Sequence, residues 1–238
     1  MAEKKVYTFK DLRNIIGKLR SPDGCPWDRV QTHESLCPCM IEEAYEAVDG
    51  IRILTESGTT GALKEELGDV LLQVLFHCQI AEENQEFTLE EVVDQVAAKM
   101  VHRHPHVFPN EEGSVIPKEQ VDWEALKKEE KPVRTPEDEI DAIPHSLPAL
   151  IRTAKVLKKM ERYYGTGSDE AASAGRVADL LRELQSEEDG GADAEEILGE
   201  LLLCVVNLGR KKGLNSEQAL IHALERCISG NSQTVRVR

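Results

Sequence analysis

"ALKEELGDVLLQVLF", residues 62–76, is apolar around nearly the whole circumference of a helical wheel, yet it carries carboxylates three residues apart at Glu66 and Asp69. At about 100° per residue, Leu63, Leu67, Val70, Leu71, Val74 and Leu75 form one broad face. Leu72 and Phe76 lie round the far side, leaving Glu66, Asp69 and Gln73 a narrow polar gap. A helix apolar nearly all round is usually a buried one. A carboxylate set in such a surface costs several kcal/mol unless it is paired, neutralised or bound to a cation. Neither Lys nor Arg stands one turn from Asp69, where residues 65, 66, 72 and 73 fall, so a divalent cation is the most direct remedy.

The preceding stretch, "MIEEAYEAVDGI" at residues 40–51, repeats the feature. With Glu43 as origin, Met40, Ala44, Ala47, Val48 and Ile51 occupy one sector, and Glu42, Glu46 and Asp49 the other side. Taken alone this is a solvated charged face. Like charges at i, i+3 disfavour a helix by a few tenths of a kcal/mol, so their recurrence in two neighbouring helices asks for a cause. Facing helices that offer Glu43 with Glu46 and Glu66 with Asp69 would converge four oxygen donors, a set suited to hard cations, Mg²⁺ first and Mn²⁺ second. The di-iron alternative wants Glu-x-x-His pairs. Here Asp49 follows Glu46 and Leu72 follows Asp69 at that spacing, which sets it aside.

Composition bounds the class. The chain has 238 residues, 40% hydrophobic and 31% charged, with only 4% aromatic. Abundant Leu, Glu, Ala and Lys predict an all-α protein. A formal net charge of −15 argues against a nucleic-acid polymer as partner, because that binding relies on clustered cations. A small phosphate ligand escorted by a cation is compatible with the same charge. No apolar run approaches the length of a membrane span and the N-terminus has no leader pattern, so a cytoplasmic protein without membrane association is expected. Six cysteines occur without a C-x-x-C pair and read as reduced thiols, mainly packing residues.

Hydrophobic periodicity and punctuation predict helices over 9–19, 32–55, 62–83 and 88–102, with Thr88 and Glu91 forming a capping box. "RSPDGCPWD" breaks the first of them. Five prolines between Pro117 and Pro148 mark residues 113–146 as a linker, within which "VDWEALKKEE" has room for one helix. Helices resume over 148–164, 174–185, 194–212 and 216–228, and only the tail "TVRVR" hints at a strand. The two halves resemble each other: "EELGDVLLQVLF" at Glu65 matches "EILGELLLCVVN" at Glu196, and "IEEAYEAV" matches "ADLLRELQ" more faintly. A duplicated helical unit is the economical explanation, with one domain at 1–112 and a second at 147–238.

The residues in this order resemble the MazG family of nucleoside triphosphate pyrophosphohydrolases, all-α enzymes related to the dimeric dUTPases. The resemblance is carried by "LRSPDGCPWDRVQTHESL", by E-x-x-E and E-x-x-D as "EAYE" and "ELGD", and by "RHPHVF" closing the unit. It extends over nearly the whole chain, since two-domain members carry a second copy similar to "LPALIRTAKVLKK" through "LLLCVVNLGRKKGLN". It implies cleavage of a nucleoside triphosphate between the α and β phosphates, giving a monophosphate and pyrophosphate, as in house-cleaning of unwanted nucleotides. Carried over, Glu43, Glu46, Glu66 and Asp69 are the Mg²⁺ ligands. Glu42 would orient or deprotonate the attacking water, or else be a surface residue.

Lys99 and Arg103 fall where the family places basic residues towards phosphate, although two cations near a helix C-terminus also complement the dipole. Lys64 is a weaker candidate of the same kind. Trp123 sits where members carry a tryptophan near the base, while core burial is the expectation for Trp27. His102, His104 and His106 read as packing or phosphate-adjacent residues, because Pro105 spoils metal-ligand spacing. The family pairs its units across a dimer, so a homodimer is expected.

In the second copy Glu43 and Glu46 correspond to Leu180 and Glu183, and Glu66 and Asp69 to Ile197 and Glu200. Two acids have become aliphatic, and Arg103 has no counterpart. This half should hold Mg²⁺ poorly and serve packing or dimerisation. The alternative function for the whole chain is a decayed nucleotide-binding or helical interaction protein.

Overall fold

The computed structural model describes residues 6–109, 113–123, 125–126, 135–165, 170–186, 192–228 and 230. Among these the regular structure is helical, without a strand, and the chain divides into two compact units, Met1–Lys127 and Lys128–Arg238. The segment "TVRVR" lies outside the described residues.

In the first unit, α1 (Phe9–Arg20) starts in a capping box: Thr8 Oγ1 accepts from the Asp11 N–H, and the Asp11 carboxylate accepts from the Thr8 N–H. Its end turns back so tightly that a β-carbon on Gly24 would stand 2.2 Å from the Leu19 carbonyl oxygen, a place only glycine fills. The one-turn α2 (Pro26–Arg29) follows. Arg20, buried, donates to the carbonyls of Asp28 and Gln31 and to the Glu83 carboxylate, tying this turn to the end of α4. Trp27 is 62% exposed, which corrects the expectation of core burial. A four-residue helix offers no second face, and the backbone contacts of its neighbours hold the turn without the ring.

Helix α3 (Cys37–Ser57) and α4 (Gly61–Asn84) form an antiparallel hairpin that Gly58 closes at φ 74°. Helix α3 starts five residues later than the periodicity predicts, because Thr32 and Ser35 exchange side-chain to backbone hydrogen bonds that offer residues 32–35 a turn instead. α5 (Leu89–Arg103) begins with the predicted capping box of Thr88 and Glu91. The core gathers Ile16, Leu36, Leu75, Phe76, Ile80 and Leu89, with Cys78.

That core covers only the C-terminal half of α4. Leu67 is 54% exposed and Leu71 also reaches solvent, contrary to a helix buried all round, because α1 and α5 pack against the far half and, among the described residues, only α3 lies beside the near one. After a 3₁₀ turn at Lys118–Gln120, Asp122 starts a helical turn by accepting from Ala125; residues 124 and 127–130 of "VDWEALKKEE" lie outside the described residues.

The second unit contains α6 (Pro136–Asp141), α7 (Ala149–Tyr164), α8 (Glu170–Ser186), α9 (Ala192–Lys211) and α10 (Ser216–Ile228). α8 and α9 pair as α3 and α4 do, α7 packs on α9, and α10 touches both α7 and α9. Leu180, Leu201, Val206 and Ile143 are the buried apolar residues among those described in this unit.

Candidate metal centre

The hairpin brings the backbones of its two helices into close contact at Gly50, where an added β-carbon would lie 2.8 Å from Leu63 Cα and 2.9 Å from Leu63 N. Glu46 is one turn before Gly50 and Glu66 one turn after Leu63, so in an antiparallel pair both lie at the same level. Glu43 is a further turn along on the same face. The result is a group of carboxylate oxygens from Glu43, Glu46 and Glu66, all within 4.8 Å of one another. Asp69 is outside that group but close enough for its charge to act on both Glu43 and Glu66.

Glu43 is half-buried and its pKa stands above the ordinary carboxylate range, first from loss of water and then from the charges of Asp69, Glu46 and Glu66. Glu66 is raised in the same way, by desolvation and then by the charge of the nearby Glu46. Among the described residues none of the four acids pairs with Lys or Arg. The donors are all oxygen, and oxygens around one octahedral Mg²⁺ at about 2.1 Å stand roughly 3–4 Å apart, a spacing this group accommodates with small side-chain adjustments. The chemistry of the donor set and the absence of any paired cation both fit a divalent ion.

The other candidate residues are placed as follows. Glu42 is exposed on α3 beside Glu43. Lys64 is exposed on the first turn of α4, about 200° round the helix from Glu66. Lys99 and Arg103 occupy one face of the last turns of α5, both half-buried. Trp123 is half-buried between imidazole edges, with the His104 ring at 4.7 Å and the His106 ring at 5.8 Å. His104 and His106 therefore do pack, as expected.

Two further features stand out in the structure. His33 and His77 stack with rings 2° from parallel and Nδ1 atoms 2.8 Å apart, while His33 Nε2 lies 3.2 Å from Glu86. Gln73, on the polar stripe of α4, is 7% exposed and its Oε1 is buried with no hydrogen-bond partner among the described residues. The stripe itself pointed to Gln73; nothing in the spacing of His33 and His77 pointed to their pairing.

Residues 31–108, which contain this helical hairpin and its converged acids, match the family model described as the MazG nucleotide pyrophosphohydrolase domain. A relative from Thermotoga maritima, named nucleoside triphosphate pyrophosphohydrolase/pyrophosphatase MazG, is 38% identical over 92% of this chain and 82% of its own length. The Escherichia coli K12 nucleoside triphosphate pyrophosphohydrolase is 34% identical over 90% and 82%. YabN of Bacillus subtilis, uncharacterised, is 46% identical over 66% of this chain but only 31% of its own. The chain belongs to the MazG family of nucleoside triphosphate pyrophosphohydrolases. No helix among the described residues is long and apolar enough to cross a membrane.

Proposed function

We propose that this protein hydrolyses nucleoside triphosphates to monophosphate and pyrophosphate at the α3–α4 hairpin, with Mg²⁺, or Mn²⁺ in its place, held by Glu43, Glu46, Glu66 and Asp69. The observation that carries the reading is the approach of three unpaired carboxylates to within 4.8 Å, in a chain whose full-length relatives bear that activity in their names. A divalent ion bound there supplies neutralisation of the triphosphate and a more acidic water. Water oxygen attacks phosphorus, the α–β bridging P–O bond breaks, and the bridging oxygen leaves with one of the two products. Glu42, exposed beside the ligands, is assigned to accept the proton of that water.

Lys99 and Arg103 are assigned to the phosphates, supported by their shared face at i, i+4 on α5, and Lys64 to a secondary contact. Trp123 is assigned to the base. The first domain spans 1–112, the linker 113–146, and the second, degenerate domain 147–238. The homodimer is supported by an apolar stripe on α3, Ile41, Tyr45, Val48 and Ile51, whose members are each at least 44% exposed, together with Leu67 and Leu71 on α4. The scattered free thiols suit a cytoplasmic setting.

The test is pyrophosphate release from a panel of canonical and damaged triphosphates, with Mg²⁺ and with a chelator, on the full chain and on Glu43→Gln. Mg²⁺-dependent pyrophosphate that vanishes in the variant is the expected result. Orthophosphate as the product, or activity unchanged in Glu43→Gln, would sink the reading.

A further inference from the structure

The second unit retains two acids at positions matching ligands of the first: Glu183 on α8 matches Glu46, and Glu200 on α9 matches Asp69. They are not left facing each other. Arg176, two turns before Glu183 on α8, donates from Nε at 2.9 Å and from Nη2 at 2.8 Å to the two oxygens of Glu200, and from Nη1 at 3.1 Å to Glu183. This is a fork-to-carboxylate pair with a second carboxylate on the remaining nitrogen. At the position of Glu43 stands Leu180, fully buried at 0% exposure. One acid of the first site has thus become core, and the two that persist are bridged across the hairpin by one guanidinium.

We propose that Arg176 is the built-in cation of the second unit, occupying by its guanidinium the role that a divalent ion takes between α3 and α4, so that the α8–α9 hairpin is closed without metal. The comparison rests on the metal reading of Glu43, Glu46, Glu66 and Asp69, but the role of Arg176 does not. A guanidinium satisfies carboxylates only in one planar arrangement and never leaves, whereas an ion exchanges and keeps open positions for substrate. The substitution therefore turns a site of chemistry into a fixed clasp. In the sequence register that aligns α3 with α8, Arg176 corresponds to Cys39, so the first unit carries no equivalent cation.

The experiment uses Mn²⁺ alone as probe, on the full chain, read by isothermal titration and by the melting temperature with and without chelator. In Glu43→Gln/Glu66→Gln, which removes the first site, no Mn²⁺-dependent rise in melting temperature is expected. Adding Arg176→Met to that background should lower the melting temperature in chelator and create a Mn²⁺-dependent rise that the background lacks, since Glu183 and Glu200 then face each other unpaired. Arg176→Lys, which keeps the charge, should remain unresponsive to Mn²⁺.

The proposal is overturned if the Arg176→Met background melts as its parent does in chelator and gains no response to Mn²⁺. It is overturned equally if Glu43→Gln/Glu66→Gln binds Mn²⁺ through Glu183 and Glu200 while Arg176 is intact. A wild-type chain that binds no Mn²⁺ would defeat the metal reading of the first unit instead, and the Arg176→Met comparison would still decide this one.

Discussion

Glu46 on α3 and Glu66 on α4 bring carboxylate oxygens to within 4.8 Å of each other across the hairpin, and burial followed by the charge of Glu46 lifts the Glu66 pKa. Glu43 stands within reach of both. A divalent cation among these oxygens would offset their mutual repulsion.

Removing one member should therefore separate stability from activity. Glu66→Gln is expected to leave the metal-free protein as stable as wild type or slightly more so, since like-charge repulsion is relieved. Pyrophosphate release should fall by about 100-fold or more, at least the loss that follows removal of a group merely supporting a metal ligand. Thermal melts in chelator and initial rates in Mg²⁺ check the two halves of this expectation.

The raised pKa values of Glu43 and Glu66 also set a direction for pH. Each binds its proton more tightly in the folded, metal-free state than when unfolded, so the metal-free fold is favoured in acid and loses that contribution as pH rises through the raised values. A divalent ion must displace those protons. Its affinity should fall as pH drops towards the carboxylate range, from above the ordinary value of 4.5, with proton release on binding. Titration calorimetry in buffers of different ionisation enthalpy would count the protons.

Gly50 lets the backbones of α3 and α4 meet without an intervening side chain. A valine there would press branched carbons onto the Leu63 backbone, which a side-chain rotation does not relieve. Gly50→Val should destabilise the protein by about 1–3 kcal/mol and weaken divalent binding as the carboxylates move apart. Chemical denaturation together with Mn²⁺ titration would show both effects; unchanged Mn²⁺ affinity would remove Gly50 from this role.

The His33–His77 pair gives a second, separate pH dependence. His33 Nε2 faces Glu86, which calls for a proton on that nitrogen, and the two Nδ1 atoms have room for one proton between them. Burial, and then the neighbouring His33, hold the His77 pKa below its ordinary value of 6.5. The unfolded chain therefore takes up more protons just below pH 6.5, so stability is fully present above that pH and is lost as pH falls from 6.5 towards the lowered value. His77→Gln should flatten this slope between pH 7 and the carboxylate range, roughly pH 5. Denaturant midpoints across that interval measure it.

The exposed stripe of α3 predicts self-association. Tyr45→Glu places a charge at its centre and should shift a dimer to monomer in analytical ultracentrifugation, while leaving helix content by circular dichroism unchanged. A wild-type chain that sediments as a monomer at micromolar concentration would count against the dimer.

What the sequence alone determined is the set of features governed by neighbours along the chain. The helical class, the capping box at Thr88 and the end of α7 at Tyr164 before Gly165 follow from periodicity and local hydrogen bonding. The stacking of Glu43 on Glu46 and of Glu66 near Asp69 likewise follows from a helix of 3.6 residues per turn. Even the start of α3 was locally encoded, by Thr32 and Ser35, although periodicity read past them.

Only the tertiary structure decided matters that depend on which surfaces meet. It exposed Trp27 and the near half of α4, because among the described residues no further helix of the unit covers them, whereas a helical wheel assumes a neighbour on every apolar face. It brought His33 to His77 and Arg176 to Glu200, pairings between residues distant in the chain that no periodicity encodes. It also brought Glu43 and Glu46 of α3 together with Glu66 of α4, since which turns of two helices face each other depends on how their backbones meet, as at Gly50 against Leu63, and not on the composition of either helix.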